Sequence, residues 1–250
     1  FVQADGIDRE RLSRYFNYIE HYKTTVTESK QMRPKTQADK RKSDPQPEDA
    51  ISKSGNINII NLKEYDKQKL LGKGRFGQVY LILLKETNQV FAAKISNQRI
   101  SITVNNDIFK EINIMKSLNH PTILRFVGYS PVDFDGEPKP TIITEYASKG
   151  SVYDVIQNKS KHPALDETKM FIIIYGIVAG MAYLHEHSIL HNDLKPSNVL
   201  LDHNLHPKIC DFGLSDVFSD SGDKSVNIKG TPSYIAPEIW DEQGCQPASD

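Results

Sequence analysis

The sequence predicts an α+β fold of two lobes with a cleft between them, on three observations. Short β-type runs fill the region from Asn61 to Glu145, helical periodicity takes over after Lys149-Gly150, and a polar basic stretch sets both apart from an N-terminal amphipathic helix. With 250 residues and 38% hydrophobic content, the chain can bury a substantial core and reads as a soluble globular protein. Its 31 basic and 32 acidic residues give a formal charge of −1, so no electrostatic ground exists for nucleic acid or an anionic membrane as its main partner. Cys210 and Cys245 are its only cysteines, too few for a disulfide framework, which favours a reducing compartment with the cytoplasm as default.

Taken in order, Leu12, Tyr15, Phe16, Ile19 and Tyr22 recur at helical spacing, predicting an amphipathic helix over 7–23 within a first segment, 1–23. Its apolar face can pack on its own chain, on an upstream domain, or on a partner. Residues 24–60 are polar, with Lys30, Arg33, Lys35, Lys40, Arg41 and Lys42 ahead of Pro45 and Pro47, the composition of a disordered linker. The basic run also suits acidic lipid or a nuclear address. Leu70-Leu71, Val79 to Leu84 and Val90 to Ile95 then predict an antiparallel meander.

A helix follows over 106–118, carried by Ile108, Ile112, Met115 and Leu118 and ended by Asn119-His120-Pro121. Further strands are predicted over 124–128 and 141–145, and helices over 152–158 and 167–185. The most apolar run, 171–184, is too short to span a bilayer and is broken by Gly176 and Gly180, so no transmembrane segment is expected. No internal repeat is visible.

Two groups of motifs carry chemistry. Leu71-Gly72-Lys73-Gly74-Arg75-Phe76-Gly77-Gln78-Val79 lets backbone N–H groups approach phosphate oxygens without Cβ obstruction. Because strand-type sequence continues after Gly77, a glycine hairpin is favoured over the strand-to-helix turn of a dinucleotide fold, with a plain glycine-bearing turn as the bland reading of this motif alone. Between His191 and Glu238 stand His191-Asn192-Asp193-Leu194-Lys195-Pro196-Ser197-Asn198, then Asp211-Phe212-Gly213, then Gly230-Thr231-Pro232 ahead of Ala236-Pro237-Glu238. Asp193, Asn198 and Asp211 are hard oxygen donors on short turns, suited to Mg²⁺ and to holding a hydroxyl nucleophile, with Lys195 as an adjacent cation. His185, His187 and His191 have no thiolate or carboxylate at a spacing that would complete a zinc site.

These motifs resemble the eukaryotic protein kinases, serine/threonine type, over residues 65–250. The resemblance implies a two-lobe kinase fold for 61–250, with a β-rich N-lobe over 61–146 and a larger helical C-lobe over 147–250 that is incomplete. It implies ATP and Mg²⁺ as cofactors and protein serine or threonine hydroxyls as acceptors. Asp193 and Lys195 would be catalytic, and Asn198 and Asp211 would hold the metal. Leu71, Gly72, Gly74, Gly77, Val79, Ala92, Lys94, Glu111, Thr144, Glu145, Ala147 and Leu200 would bind ATP. In that set Lys94 pairs with Glu111, Val79, Ala92 and Leu200 enclose the adenine, residues 145–147 form the hinge, and Thr144 stands as the gatekeeper.

Two departures qualify the resemblance. The arginine usual before the catalytic aspartate is Asn192 here, and a neutral amide cannot pair with a phosphorylated activation loop. Alanine at Ser219, Ser221 or Ser225 is therefore expected to leave activity largely intact, with Thr231 the exception. The chain also starts at Phe1 and stops at Asp250, where the resemblance implies that further helices follow, so these residues alone are expected to be unstable or weakly active. Lys195 with Gly230-Thr231-Pro232 is serine/threonine-like, while the hinge 143–151 is tyrosine-kinase-like, a mixture that suits the tyrosine-kinase-like group. The alternative is a kinase-fold binding module without turnover.

Overall fold

A computed structural model describes residues 7–31, 57–74, 77–99, 102–157, 165–218, 229–241 and 245–250. Five antiparallel strands, β1 (Tyr65–Lys73), β2 (Gly77–Leu84), β3 (Val90–Ser96), β4 (Phe126–Ser130) and β5 (Thr141–Glu145), form one sheet in the order β1-β2-β3-β5-β4. β1 is longer than the Leu70-Leu71 run suggested. It lies on the sheet edge and is exposed apart from Tyr65, so its length is written in ladder hydrogen bonds rather than in hydrophobic alternation. On the buried side Leu62, Tyr65, Ile82, Phe91, Ala93 and Ile143 form the core of this lobe.

α2 (Ile102–Ser117) crosses the sheet and begins ahead of the predicted Asn106. No glycine or proline separates Ile102 from Asn106, so nothing in the backbone stops the helix at the point where apolar periodicity begins. Ile112, Met115 and Leu118 join Ile142 from β5 with Met181, Leu184, Ile189, Ile209 and Phe212 from the helical half in one continuous cluster. The core therefore runs across the lobe boundary behind the cleft.

The helical half contains α3 (Val152–Gln157), α4 (Glu167–Glu186) and the short α5 (Pro237–Trp240). Two small ribbons carry the loops of interest: β6 (Ile189–Leu190) pairs with β9 (Asp216–Val217), and β7 (Val199–Leu201) with β8 (Pro207–Ile209). Asp166 caps α4, its carboxylate accepting from the Lys169 N–H at 2.8 Å. At 20 residues α4 is long and apolar enough to cross a membrane by composition, so the shortness of the apolar run is not what argues against a span. The argument is packing: Ile172, Ile173, Gly176, Ala179, Gly180, Met181, Tyr183 and Leu184 are buried inside the lobe. Met170, Phe171, Ile174 and Val178 form an exposed face of the same helix.

α1 (Arg9–Gln31) runs further than the predicted 7–23, taking up the first residues assigned to the linker. Residues 24–31 contain no breaker, and the first proline after them is Pro34, so nothing in the backbone chemistry stops the helix at Lys23. Residues 32–56 of the predicted linker lie outside the described residues, and its last stretch, 57–60, is not disordered but pairs with β4: the Tyr129 N–H donates to the Asn58 carbonyl at 2.9 Å and the Ile60 N–H to the Tyr129 carbonyl at 2.7 Å. α1 packs on its own chain: Tyr15 and Ile19 are buried with Ile172 and Ala179 of α4, and Leu12, Phe16 and Tyr175 pack around them. Full burial of Ile19 is worth about 1.5–3 kcal/mol. Gly176 permits the approach, since a Cβ there would stand 2.4 Å from both the Tyr15 hydroxyl and Pro207 Cγ.

Candidate active site

The phosphate-side residues follow from the sheet. Val79 on β2 stands opposite Lys94 on β3, and Ala92 stands opposite Thr144 on β5, so the register alone sets the glycine hairpin, the lysine and the hinge side by side. The Gly74 N–H donates to the Gly77 carbonyl at 2.9 Å, closing the turn; Arg75 and Phe76 at its tip lie outside the described residues. Gly77 is a packing requirement, because a Cβ would lie 2.2 Å from the Ile95 backbone oxygen. Gly72 and Gly74 are different: a Cβ at either would meet nothing within 4 Å. The protein itself does not need their bareness, which fits a loop that a phosphate chain approaches from outside.

Lys94 is the centre of the first polar cluster. Its Nζ donates to Glu111 Oε1 at 2.8 Å and to Asp211 Oδ1 at 2.9 Å, linking β3, α2 and the segment after β8. Burial works against its charge, but the two carboxylates more than compensate and hold its pKa above the usual lysine value. Burial likewise opposes the charge on Asp211, and Lys94 nonetheless holds that carboxyl below its usual range. These three line a cavity of about 460 Å³ with Ile108, Ile142 and Leu214. Leu71, Val79, Ala92 and Leu200 do not line it. Leu200 sits on β7, bridged to Ser151, on the C-lobe side of the hinge.

The hinge residues carry structural duties that sequence spacing did not indicate. Glu145 accepts from the Arg125 N–H at 2.9 Å and pairs with Lys208 at 3.1 Å. The Thr144 hydroxyl donates to the Glu145 carbonyl at 3.1 Å, and Ala147 is buried directly after β5.

The second cluster surrounds Asp193, buried in the loop after β6. Lys195 Nζ donates to Asp193 Oδ2 and to the Thr231 hydroxyl, both at 2.6 Å, and that hydroxyl donates to Asp193 Oδ1 at 2.7 Å. Asn198 Nδ2 donates to the Asp193 carbonyl at 2.9 Å and to Oδ2 at 3.0 Å. With its nitrogen committed, Asn198 offers its carbonyl oxygen to a ligand. The Cys210 N–H donates to the Asn198 carbonyl at 3.0 Å, which brings Asn198 beside Asp211. An amide oxygen beside a carboxylate is a hard donor pair of the kind Mg²⁺ takes while keeping other positions for phosphate or water, so the residues present fit that ion. Asp211 holds φ 69°, ψ 70°, a left-handed conformation costly for a residue with a side chain and retained here by its bond to Lys94.

The three histidines go to separate partners. His185 meets Asp250, and His187 Nδ1 meets the Tyr183 carbonyl. His191 is fully buried against Phe212; its Nδ1 accepts from the Asp193 N–H, which leaves Nε2–H to donate to the Cys210 carbonyl at 3.0 Å. Burial lowers its pKa and keeps it neutral, as that bonding pattern requires. Desolvation pushes the Cys210 thiol up to about 12, marking it as an inert structural cysteine.

Two participants were not foreseen. Asp250 is almost fully enclosed, and its carboxylate accepts from the His191 and Asn192 N–H groups, both at 2.7 Å, holding the loop that presents Asp193. Its 58-residue separation from Asn192 carries no local pattern that could have announced it. Asp216 pairs with Lys110 and Lys229. Asn192, at φ 63°, donates its amide to the Leu214 carbonyl at 3.1 Å. Ser219, Ser221 and Ser225 lie outside the described residues.

Comparison with known proteins agrees with this geometry. The family described as the protein kinase domain matches residues 65–250. Serine/threonine-protein kinase polo of Drosophila melanogaster is 36% identical over 190 residues, covering 75% of this chain and 32% of its own length. Receptor-interacting serine/threonine-protein kinase 3 of Homo sapiens is 36% identical over 187 residues, 73% of this chain and 34% of its own. Serine/threonine-protein kinase RUNKEL of Arabidopsis thaliana is 34% identical over 184 residues, 73% of this chain and 13% of its own. The chain thus spans about a third, or less, of the length of these relatives.

Proposed function

This chain belongs to the protein kinase family, and from that membership we propose that it transfers the γ-phosphate of ATP to serine or threonine hydroxyls of protein substrates. The observation that carries the reading is the double engagement of Lys94 with Glu111 and Asp211. It aims a cation at the place where the glycine hairpin leaves room for phosphates, and joins it to the carboxylate assigned to the metal. A binding module without turnover would have no need of this set together with Asp193 held by Lys195, Thr231 and Asn198.

In this reading Asp193 orients the acceptor hydroxyl and takes its proton, and Lys195 shields the developing negative charge. Asn198 and Asp211 hold Mg²⁺, whose charge offsets that of the phosphates. Leu71, Val79, Ala92 and Leu200 enclose the base against the hinge at Glu145 and Ala147, with Thr144 behind it. Within the family we assign the chain to the tyrosine-kinase-like group, on Lys195 and Gly230-Thr231-Pro232 beside a hinge of the tyrosine-kinase type. The cytoplasm is the compartment we assign, supported by two unpaired cysteines.

The test is transfer of label from ATP to a generic basic protein with Mg²⁺, with the Asp193→Asn protein alongside. Label on serine or threonine that Asp193→Asn abolishes supports the proposal. Nucleotide binding without transfer would replace it with the binding-module reading.

A further inference from the structure

Asp216 meets sequence neighbours of Glu111, of Thr231 and of the His191–Asp193 run without itself belonging to the site. Its strand β9 pairs with β6, Asp216 opposite Leu190, next to the His191–Asp193 run. One carboxylate oxygen takes the ammonium of Lys110 on α2, the residue before Glu111. The other takes Lys229, two residues ahead of the Thr231 that bonds Asp193 and Lys195. Both lysines line the cavity that holds Lys94, Glu111 and Asp211. Asp216 and Lys229 are part-shielded, at 27% and 28% exposure, so their pair is less screened than an open surface pair, while Lys110 at 46% reaches in from the more exposed side.

Resting on the kinase reading above, we propose that Asp216 is a positioning residue whose carboxylate gathers Lys110 and Lys229 and so holds Glu111 and Thr231 in their working places, replacing a phosphorylated activation segment.

The charge pattern supports this role. An added phosphate organises a segment by collecting cations from separate elements around one anion. Here the anion is built into the chain, and the cations it collects come from α2 and from the segment entering Thr231. The position ahead of Asp193 supplies no cation to this anion, because Asn192 is neutral and its amide is engaged by the Leu214 carbonyl. A phosphate brought to this point would face the fixed negative charge of Asp216 and compete with it for the same two lysines. Partial burial disfavours the Asp216 anion, yet hydrogen bonds from Lys110 and Lys229 hold its carboxyl below the usual range, so the anion persists at neutral pH.

The experiment compares the full-length protein with its Asp216→Asn and Asp216→Glu variants, each before and after phosphatase treatment. Asp216→Asn keeps the shape and removes the charge. It should lower kcat by about tenfold and raise KM for ATP, while Asp216→Glu keeps most of the activity. Amide hydrogen exchange around Glu111 and over Thr231–Tyr234 should speed severalfold in Asp216→Asn with the melting temperature little changed, which a general loss of fold would not produce. Wild-type turnover should survive phosphatase. Raising ionic strength should reduce wild-type turnover toward the Asp216→Asn level and affect that variant little.

Asp216→Asn with unaltered exchange and unaltered kcat would overturn the proposal. So would wild-type protein that phosphatase inactivates while Asp216→Asn is neutral. Absence of any transfer by wild type would instead count against the kinase reading, and the exchange comparison would still decide the role of Asp216.

Discussion

The Lys94 cluster, which includes Asp211, and the Asp193 cluster are built on different principles. The first joins residues 17 and 117 apart through opposite charges on β3, α2 and the post-β8 segment. The second is mostly local: Lys195 and Asn198 reach Asp193 from two and five residues away, and only Thr231 returns from a distance. The first therefore exists only when α2 is seated against the sheet and the helical half together. The second is largely specified by the turn that contains it. The difference teaches which half is more conditional: the Lys94 cluster reports how the lobes are assembled, whereas the Asp193 cluster is set mostly by its own loop, with Thr231 and Asp250 fastening it from a distance.

The largest expected effect breaks the local cluster at its centre. On the proposed reading Asp193→Asn removes the proton acceptor while leaving a side chain of the same shape, and kcat should fall by about 10²–10⁴-fold with little change in KM for ATP, read from initial rates. Lys94→Met breaks the distributed cluster instead. It leaves Glu111 and Asp211 as neighbouring carboxylates with no cation between them, and kcat/KM should fall by about 10²-fold with nucleotide affinity weakened, measured by titration with ATP.

The same substitution should change the acid response. Against the cost of burial, Lys94 keeps the folded Asp211 carboxyl below its unfolded value, so the stabilisation is complete above about pH 4 and is lost as pH falls through the folded value. Lys94→Met removes that contribution, and unfolding midpoints taken from about pH 3 to 5 should show a flatter or inverted dependence on pH. An unchanged acid slope would mean that Lys94 and Asp211 are not coupled in solution.

Thr231 tests whether the local cluster needs its one distant member. Thr231→Ala should lower kcat about tenfold, because the hydroxyl bridging Asp193 and Lys195 is lost, while Thr231→Ser should restore most of it. The smallest effects belong to Ser219, Ser221 and Ser225: alanine at each should leave turnover within about twofold, since neutral Asn192 has no charge with which to grip a phosphate. A tenfold loss at any one of them would give the activation segment a phosphate-dependent role.

Much of this was legible in the residues because it is periodic or locally spaced. The short β-type runs of β2 and β3, the helical repeat of α4, and the glycine hairpin all follow from short-range steric and hydrophobic rules. So does the Asp193-Lys195-Asn198 spacing. Polarity, by contrast, concealed the extent of β1, an exposed edge strand held by backbone hydrogen bonds that carry no side-chain signature, and no apolar repeat marked the early start of α2 or the continuation of α1 to Gln31. The apolar stripe of α1 announced that it must be buried. Its choice of α4 depended on the gap that Gly176 leaves beside Pro207 and Tyr15.

By itself, the sequence determined the class of fold, the order of its lobes and the family, and it singled out the residues proposed to carry the chemistry, since these rest on patterns within a few turns of chain. Only the tertiary structure decided that Lys94 would hold Asp211 as well as Glu111, that Asp250 would anchor the catalytic loop, and that Asp216 would draw Lys110 and Lys229 together. The physical reason is that a carboxylate carries the same letter wherever it stands. Which cation or N–H group it finds is settled by packing that brings together segments from opposite ends of the chain.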